Sequence, residues 1–252
     1  MQRLFFEIAY NGTHYSGWQK QPNASTVQET IENRLIRLFG NQPIPIVGCG
    51  RTDSGVHAFQ FYFHVDLPNK YSTNELFYKL NNMLPADIAI RTVNLVEADN
   101  HARFDADRRT YRYFIHQKKD PFLENASWYF PKPLDIDAMN EACELLIGEK
   151  DFTSFSKLHT DVKTNICDLY SASWSIKNKS EVVFEVSANR FLRNMVRALV
   201  GTLLEVGQGN ISKTEFKHVL VAKDRGQAGV SVPAEGLYLY RVRYPFFVAD
   251  QQ

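Results

Sequence analysis

The chain has 252 residues, 44% of them apolar and 13% aromatic, which supports a full hydrophobic core and excludes a disordered polymer. Its 29 basic and 28 acidic residues leave a formal charge of +1, so bulk basicity marks no nucleic-acid binder and such a surface would have to be a local patch. Cys49, Cys143 and Cys167 are an odd number without C-x-x-C spacing, which argues against a disulfide framework or a zinc site and for a reducing compartment. Glu7 comes too early for a signal peptide and no apolar run approaches membrane length, so a soluble cytoplasmic protein is expected.

Leu4, Phe6 and Ile8 alternate with more exposed positions and predict a first strand ending at the turn pair Asn11-Gly12. The loop after it, Tyr15-Ser16-Gly17-Trp18-Gln19-Lys20-Gln21, is aromatic and polar. Thr26 and Glu29 spell a capping box for a helix with Val27, Ile31, Leu35 and Leu38 on one face, closed by Gly40. A short apolar run (Ile44, Ile46, Val47) and an alternating one (Phe59, Phe61, Phe63, Val65) then predict two strands. Between them lies Gly48-Cys49-Gly50-Arg51-Thr52-Asp53-Ser54-Gly55-Val56-His57-Ala58. Its glycines let the backbone take positive φ and approach a ligand closely, and its one carboxylate, Asp53, has Arg51 and Thr52 beside it. A tight turn whose Asp caps its own backbone is the plainer reading of the same residues.

Ser72 with Glu75 opens another helix that Pro85 ends, and Ile88, Ile90 and Thr92 continue as a strand. From His101 to Ile115 the second half alternates, with Tyr111, Tyr113 and Ile115 on one side of a strand. Arg103, Arg108, Arg109 and Arg112 flank it, either as solvated arginines of an edge strand or as a basic rim beside a stacking aromatic that suits flipped nucleotides. Pro121 through Pro133 reads as a crossover between halves. Asp135 caps a helix with Met139, Ala142, Cys143 and Leu146, closed by Gly148, and 166–176 with 181–188 form a hairpin around Lys177-Asn178-Lys179-Ser180. Asn189 to Gly201 opens a helix with Leu192, Val196, Leu199 and Leu203 on its core face and Arg190, Arg193 and Arg197 as a basic stripe. Ser212 and Glu215 cap the last helix, and the loop Arg225–Gly236 leads to the strand Leu237–Tyr244. The repeated layout of strand, helix and strands implies a duplicated α+β unit without a sequence repeat.

A lone Asp acts as nucleophile or base only if a pocket holds it ionised, and Arg197 or Arg193 is the natural partner to do so. No G-x-x-x-x-G-K-[ST] run, no histidine pair at metal-ligand spacing and no dinucleotide fingerprint occurs, so the expected chemistry uses no metal and no cofactor. Asp53-Ser54-Gly55 also matches the Asp-[Ser/Thr]-Gly of aspartic proteases. Those need two carboxylates sharing a proton; with one such motif the dyad would have to form across a dimer, beside the cation of Arg51.

Gly50-Arg51-Thr52-Asp53-Ser54-Gly55-Val56-His57-Ala58 resembles the G-R-T-D-[AS]-G-V-H-A signature of the tRNA pseudouridine synthase A family. His101-Ala102-Arg103-Phe104 with Arg109-Thr110-Tyr111-Arg112-Tyr113 is similar to that family's tyrosine-bearing strand, and Asp151-Phe152-Thr153-Ser154-Phe155 to its D-F-x-S-F. Phe191 to Arg197 resembles its F-L-x-x-M-V-R helix, and Arg225–Gly229 with Pro233–Leu239 its C-terminal loop and strand. The resemblance implies an α+β fold of two ferredoxin-like halves in a mainly antiparallel sheet, with helices on one face and a central cleft. The halves are expected over 1–105, carrying the Asp loop, and 106–252, carrying the Tyr strand and the Arg helix. It implies a homodimer, without metal or cofactor, converting uridines 38, 39 and 40 of the tRNA anticodon arm to pseudouridine.

Carried over residue by residue, the resemblance makes Asp53 the catalytic nucleophile, Tyr111 the ring that stacks on the uracil and the base at its C5, and Arg197 the partner of Asp53. Arg51 would hold the displaced RNA backbone; Arg103, Arg108, Arg109, Arg112 and Arg193 would hold phosphates. Ser54 stands where alanine is common, and Arg190 where a small residue is usual. A non-catalytic RNA-binding module is the rival from another class. It would keep the arginines and aromatics without Asp53 or Tyr111, and both are present.

Overall fold

The computed structural model describes residues 1–157 and 163–247; the end of the expected C-terminal half, 248–252, and one of the scattered histidines, His159, lie outside them. In chain order the first elements are β1 (Gln2–Tyr10), α1 (Val27–Leu38), β2 (Val47–Gly48), β3 (His57–Leu67), α2 (Thr73–Met83) and β4 (Ile88–Val96). Then come β5 (Arg108–His116), β6 (Trp128–Tyr129), α3 (Ile136–Cys143), β7 (Gly148–Asp151), β8 (Ile166–Asn178) and β9 (Glu181–Ala188). The last are α4 (Met195–Gly207), α5 (Lys213–Ala222) and β10 (Leu237–Arg243). The chain divides into two compact units, Met1–Asp107 with Tyr238–Gln252, and Arg108–Leu237. Both are α+β and mainly antiparallel.

In the first unit the order β4-β1-β3, with β2 on the far side of β3, is that of a ferredoxin-like βαββαβ module; β10 adds to β3 in parallel. The expected alternation of β1 is incomplete, because Leu4, Phe5 and Phe6 are all fully buried. Phe5 points away from its neighbours by the two-residue period and is covered by the rings of Tyr244, Phe246 and Phe247, with centroids 5.4, 5.5 and 6.0 Å away. Thr26 Oγ1 accepts the Glu29 N–H at 3.3 Å, but the expected capping box stays half-made: Glu29 lies instead 3.9 Å from Lys20 Nζ. Gly40, at φ 83°, closes α1 in a left-handed turn in which Asn41 N–H reaches Ile36 O at 2.8 Å. The Ser72–Glu75 box is complete, and α2 stops before Pro85. Of the apolar run at Ile44–Val47, only Val47 and Gly48 pair as a strand.

His64 of β3 is buried and its Nδ1 accepts the Ala102 N–H at 3.1 Å. Burial foremost, with His101 and Arg3 next, pushes its pKa down from 6.5 to about 4. The neutral ring is therefore favoured in the folded chain, while the unfolded chain takes up the proton first as pH falls. This contribution to stability is fully present above about pH 6.5 and is lost as pH falls from there to about 4. Urea unfolding at pH 7 and pH 5 is expected to show the loss, and His64→Gln should flatten it.

The second unit has the strand order β5-β9-β8-β7, with the short β6 parallel to β5. The Pro121–Pro133 stretch lies inside this unit, where Trp128 and Tyr129 pair with Ile115 and His116. Met139 packs so tightly on Gly207 that any side chain there would collide with its sulfur, which brings α3 and α4 together. The helix after Asp135 ends at Cys143, earlier than expected, and tightens into a 3₁₀ turn over Glu144–Leu146. Leu146 stays buried through that turn, so its apolar spacing reads as if the helix continued to Gly148.

The basic stripe expected on one helix face does not form. Asn194 takes a left-handed backbone, φ 65°, and α4 begins only at Met195. The Arg193 carbonyl turns aside to accept the Lys157 N–H at 3.0 Å, and Arg190 Nη1 donates to Thr164 O at 3.3 Å. Only Arg197 of the three is helical. All three cysteines are buried and none is in a disulfide among the described residues. Among those residues no helix is long and apolar enough to cross a membrane.

Candidate active site

The Asp53 loop connects β2 and β3 and is held from one side by the aromatic loop that follows β1. Tyr10 Oη and Thr52 Oγ1 lie 2.9 Å apart, and Thr52 O accepts the Trp18 N–H at 3.3 Å. Tyr15 O accepts from Gly55 N–H at 3.2 Å and from Ser54 Oγ at 3.3 Å. Gly12 N–H donates to His57 Nδ1 at 3.1 Å, which fixes that ring as an acceptor at Nδ1. At the other end Cys49 N–H reaches Tyr62 O at 2.7 Å. Two glycines make the approach possible. Any Cβ at Gly12 would collide with the Val56 carbonyl, and Gly17, at φ 85°, lies as close to the Thr52 carbonyl.

Within this frame Val56 N–H closes a turn onto Asp53 O at 3.2 Å, with Gly55 at φ 77° in the third position, as a type II turn requires. Residues 53–56 thus form a tight turn closed by main-chain groups, and the Asp53 side chain is half-buried. Arg51, in the same loop, is exposed, and so is Arg103 on the turn before β5, which stacks over Phe104 at 5.7 Å. The sequence reading saw the Tyr15–Gln21 loop only as aromatic and polar. Its role as a clamp was signalled by Gly12, Gly17 and the buried Trp18, whose indole fills the space beside Gly48 where a Cβ would come within 2.5 Å.

In the second unit Tyr111 sits on β5 opposite Val186, half-buried, with its ring edge-on to Phe191 at 5.0 Å. Arg197, on the first turns of α4, gives its Nε to Val232 O at 2.6 Å, and its own carbonyl accepts the Val232 N–H at 3.3 Å. Tyr113 donates to the neighbouring Pro233 O at 2.8 Å; burial pushes its phenol well above the usual range, with Arg197 opposing. The loop before β10 is thus the common anchor of both side chains. It is itself fastened to α4: Asn194 Nδ2 donates to Ser231 Oγ at 2.6 Å, and Gly229 N–H to Thr202 Oγ1 at 2.9 Å. Arg225 braces the turn from inside through Ala228 O, Gly229 O and Ser231 Oγ. Sequence reasoning treated this stretch as plain loop and missed the brace; Gly201 and Gly229, which meet in van der Waals contact, were its signal.

The flanking arginines differ in their engagements. Arg112 forms a 2.6 Å ion pair with Glu185, and Arg109 Nη1 donates to Asn189 O at 3.0 Å. Arg108 stacks on Tyr170 at 4.6 Å, and its buried Nε makes no hydrogen bond among the described residues. Arg193 is exposed. Among the described residues no group of three or more His, Cys, Asp or Glu could hold a metal ion.

A family model described as tRNA pseudouridine synthase matches residues 8–105 and 142–245. The tRNA pseudouridine synthase A of Porphyromonas gingivalis is 50% identical over 248 residues, 97% of this chain and 98% of that protein. That of Parabacteroides distasonis is 50% identical over 247 residues, 97% of each chain. In Caldicellulosiruptor bescii the corresponding protein is 40% identical over 246 residues, 97% of this chain and all of that one, at 100%.

Proposed function

The chain belongs to the tRNA pseudouridine synthase family, and from that premise we propose that it acts on uridines 38, 39 and 40 of the anticodon arm, with Asp53 as its catalytic carboxylate. The reaction exchanges the N1–C1′ glycosidic bond of a uridine in tRNA for a C5–C1′ bond, an isomerisation with no net redox change. The uridine first leaves its stack, at a cost of a few kcal/mol that is lower in a loop than in a stem. Asp53 then attacks C1′, or abstracts the C2′ proton to give a glycal. The detached uracil turns and re-bonds through C5, whose proton Tyr111 removes. Arg197 is the partner of Asp53, and Arg51 holds the displaced backbone. The enzyme works as a homodimer in the cytoplasm.

The observation that supports this reading is the Asp53 loop. Its backbone is fixed at Thr52, Gly55 and Val56 by hydrogen bonds to the Tyr10–Trp18 stretch and to itself. A carboxylate on a backbone so held is pre-positioned for attack at low entropic cost. Incubation with unmodified tRNA carrying tritium at uridine C5 tests it: release of tritium without any added cofactor is expected, and retention would leave only an RNA-binding module.

Tyr111→Phe keeps the ring that Phe191 supports and removes the hydroxyl. Binding of tRNA is expected to stay within a few-fold while the final C5 deprotonation slows by about 10²-fold or more, so that a rearranged intermediate builds up. Rapid-quench digestion and chromatography of the nucleosides would reveal it; wild-type turnover would reduce Tyr111 to a stacking platform.

Phosphate contacts should follow the engagements of the arginines. Arg112 has its charge answered by Glu185, whereas Arg108, stacked on Tyr170, makes no ion pair among the described residues. Arg108→Ala is therefore expected to weaken tRNA binding several-fold and lower the salt slope by about one, and Arg112→Ala to do less. Affinities measured across a salt series would show which of the two answers a phosphate.

A further inference from the structure

We propose that Asp87 is a positioning residue for the Asp53 loop, acting through Tyr15; this rests on the function proposed above, in which Asp53 does the chemistry. Tyr15 is a buried strut between two points of the first unit. At one end its Oη donates to Asp87 Oδ1 at 2.7 Å. At the other its carbonyl accepts the Gly55 N–H at 3.2 Å and Ser54 Oγ at 3.3 Å, on the two residues that directly follow Asp53. The Tyr15 N–H donates to Gly12 O at 3.0 Å and turns the chain between these two ends. Burial foremost, and the bond to Asp87 next, push the Tyr15 phenol well above its usual range, so at neutral pH it stays a donor.

The far end of the strut is itself fixed. Ile88 pairs with Tyr10 at the end of β1, so the sheet register sets Asp87 beside the Asn11-Gly12 turn. There the Asp87 carbonyl accepts the Asn11 N–H at 2.9 Å. The Ile88 N–H closes a turn onto Pro85 O at 3.1 Å, and Arg34 Nε of α1 donates to Met83 O at 2.8 Å, at the end of α2. Asp87 therefore stands on a segment held from β1, from α1 and by its own turn. A ring needed only to fill the core would be served by phenylalanine; the buried hydroxyl is what ties Tyr15 to that segment. The near end of the strut meets the loop one residue from Asp53, where a small displacement acts directly on the reacting group. Misplacement by about 1 Å from a change outside the chemistry can cost about 10²-fold in rate.

Two variants remove opposite halves of the same bond: Tyr15→Phe keeps the ring without its hydroxyl, and Asp87→Ala takes away the acceptor. Each is expected to slow single-turnover pseudouridine formation about ten-fold per folded molecule, while tRNA affinity stays within about two-fold of wild type. Combined, they should cost no more than either alone, because they delete one shared interaction. Asp87→Asn, which keeps an oxygen acceptor, should recover most of the rate. Amide hydrogen exchange on the tRNA-free protein reads the strut without turnover: the Gly55 N–H should exchange several-fold faster in Tyr15→Phe and in Asp87→Ala than in the wild type. Wild-type single-turnover rates in both variants would overturn the proposal, as would rate and affinity falling together, losses that add in the double variant, or an unchanged Gly55 amide. Should Asp87→Ala fail to fold, Tyr15→Phe, which keeps the packing, carries the same rate and exchange tests. If the wild type releases no tritium from tRNA, the proposed function itself fails. If it turns over normally and the variants match it, the strut alone is wrong.

Discussion

Asp53→Asn is expected to lower pseudouridine formation by at least about 10⁴-fold, the upper end of what one positioned proton-transfer group supplies and less than a lost nucleophile can cost. The substitution keeps the size and shape of the side chain, removes its charge and basicity, and turns one acceptor oxygen into an amide donor. The turn that carries residue 53 is made by main-chain groups, Val56 N–H to Asp53 O, so the loop should keep its conformation. Affinity for tRNA should stay within a few-fold, because docking rests on phosphate contacts that this carboxylate does not make. Single-turnover rates and equilibrium binding, measured on the same preparation, separate the two effects. Parallel loss of binding and turnover would mean that Asp53 shapes the RNA-binding surface instead of doing chemistry.

The second large effect comes from a residue far less conspicuous in the sequence. Gly201 lies inside α4, where replacing glycine with alanine ordinarily stabilises a helix by about 1 kcal/mol. Here the added Cβ would collide with the Val230 carbonyl oxygen. The loop cannot simply lift away, since Gly229 N–H is bound to Thr202 Oγ1 and Ser231 Oγ to Asn194 Nδ2. Overpacking of this kind costs about 1–3 kcal/mol, which outweighs the gain in helix propensity. Net of that gain, Gly201→Ala is expected to destabilise the chain by up to about 2 kcal/mol in urea unfolding. Activity should fall further than stability, because the displaced loop carries Val232 O, the acceptor that orients Arg197. Gly50→Ala is the stability control: a Cβ there meets nothing within 4 Å, and the unfolding midpoint should barely move.

These two positions show what the sequence made legible. Asp53 stood out because a lone carboxylate among glycines between two strands is a local pattern, and the capping residues Ser72 and Ser212 were equally local. Strand and helix periods located β3, β5 and β9 because each keeps apolar spacing along its own length. The frame around the site was harder to read, since it consists of contacts distant in the chain: Gly12 on Val56, Gly17 on Thr52, Gly201 on Val230. The basic stripe failed for a related reason. Leu192, Val196 and Leu199 fit a helical period, but Leu192 is buried from a non-helical segment, and the left-handed Asn194 breaks the phase that would have aligned Arg190 and Arg193 with Arg197. The ion pair of Arg112 with its cross-strand neighbour Glu185 was equally invisible, because it joins two strands 73 residues apart.

The proposed chemistry has Asp53 drive uridine isomerisation at positions 38, 39 and 40 of tRNA. Its most direct test is positional mapping of pseudouridine, by carbodiimide labelling and primer extension, on unmodified tRNAs with uridine at each of those positions. With wild-type protein and no added cofactor, stops are expected at 38, 39 and 40 and at no other uridine, and Asp53→Asn should give none. Stops elsewhere in the tRNA, or stops at these positions with Asp53→Asn at the wild-type rate, would contradict the account.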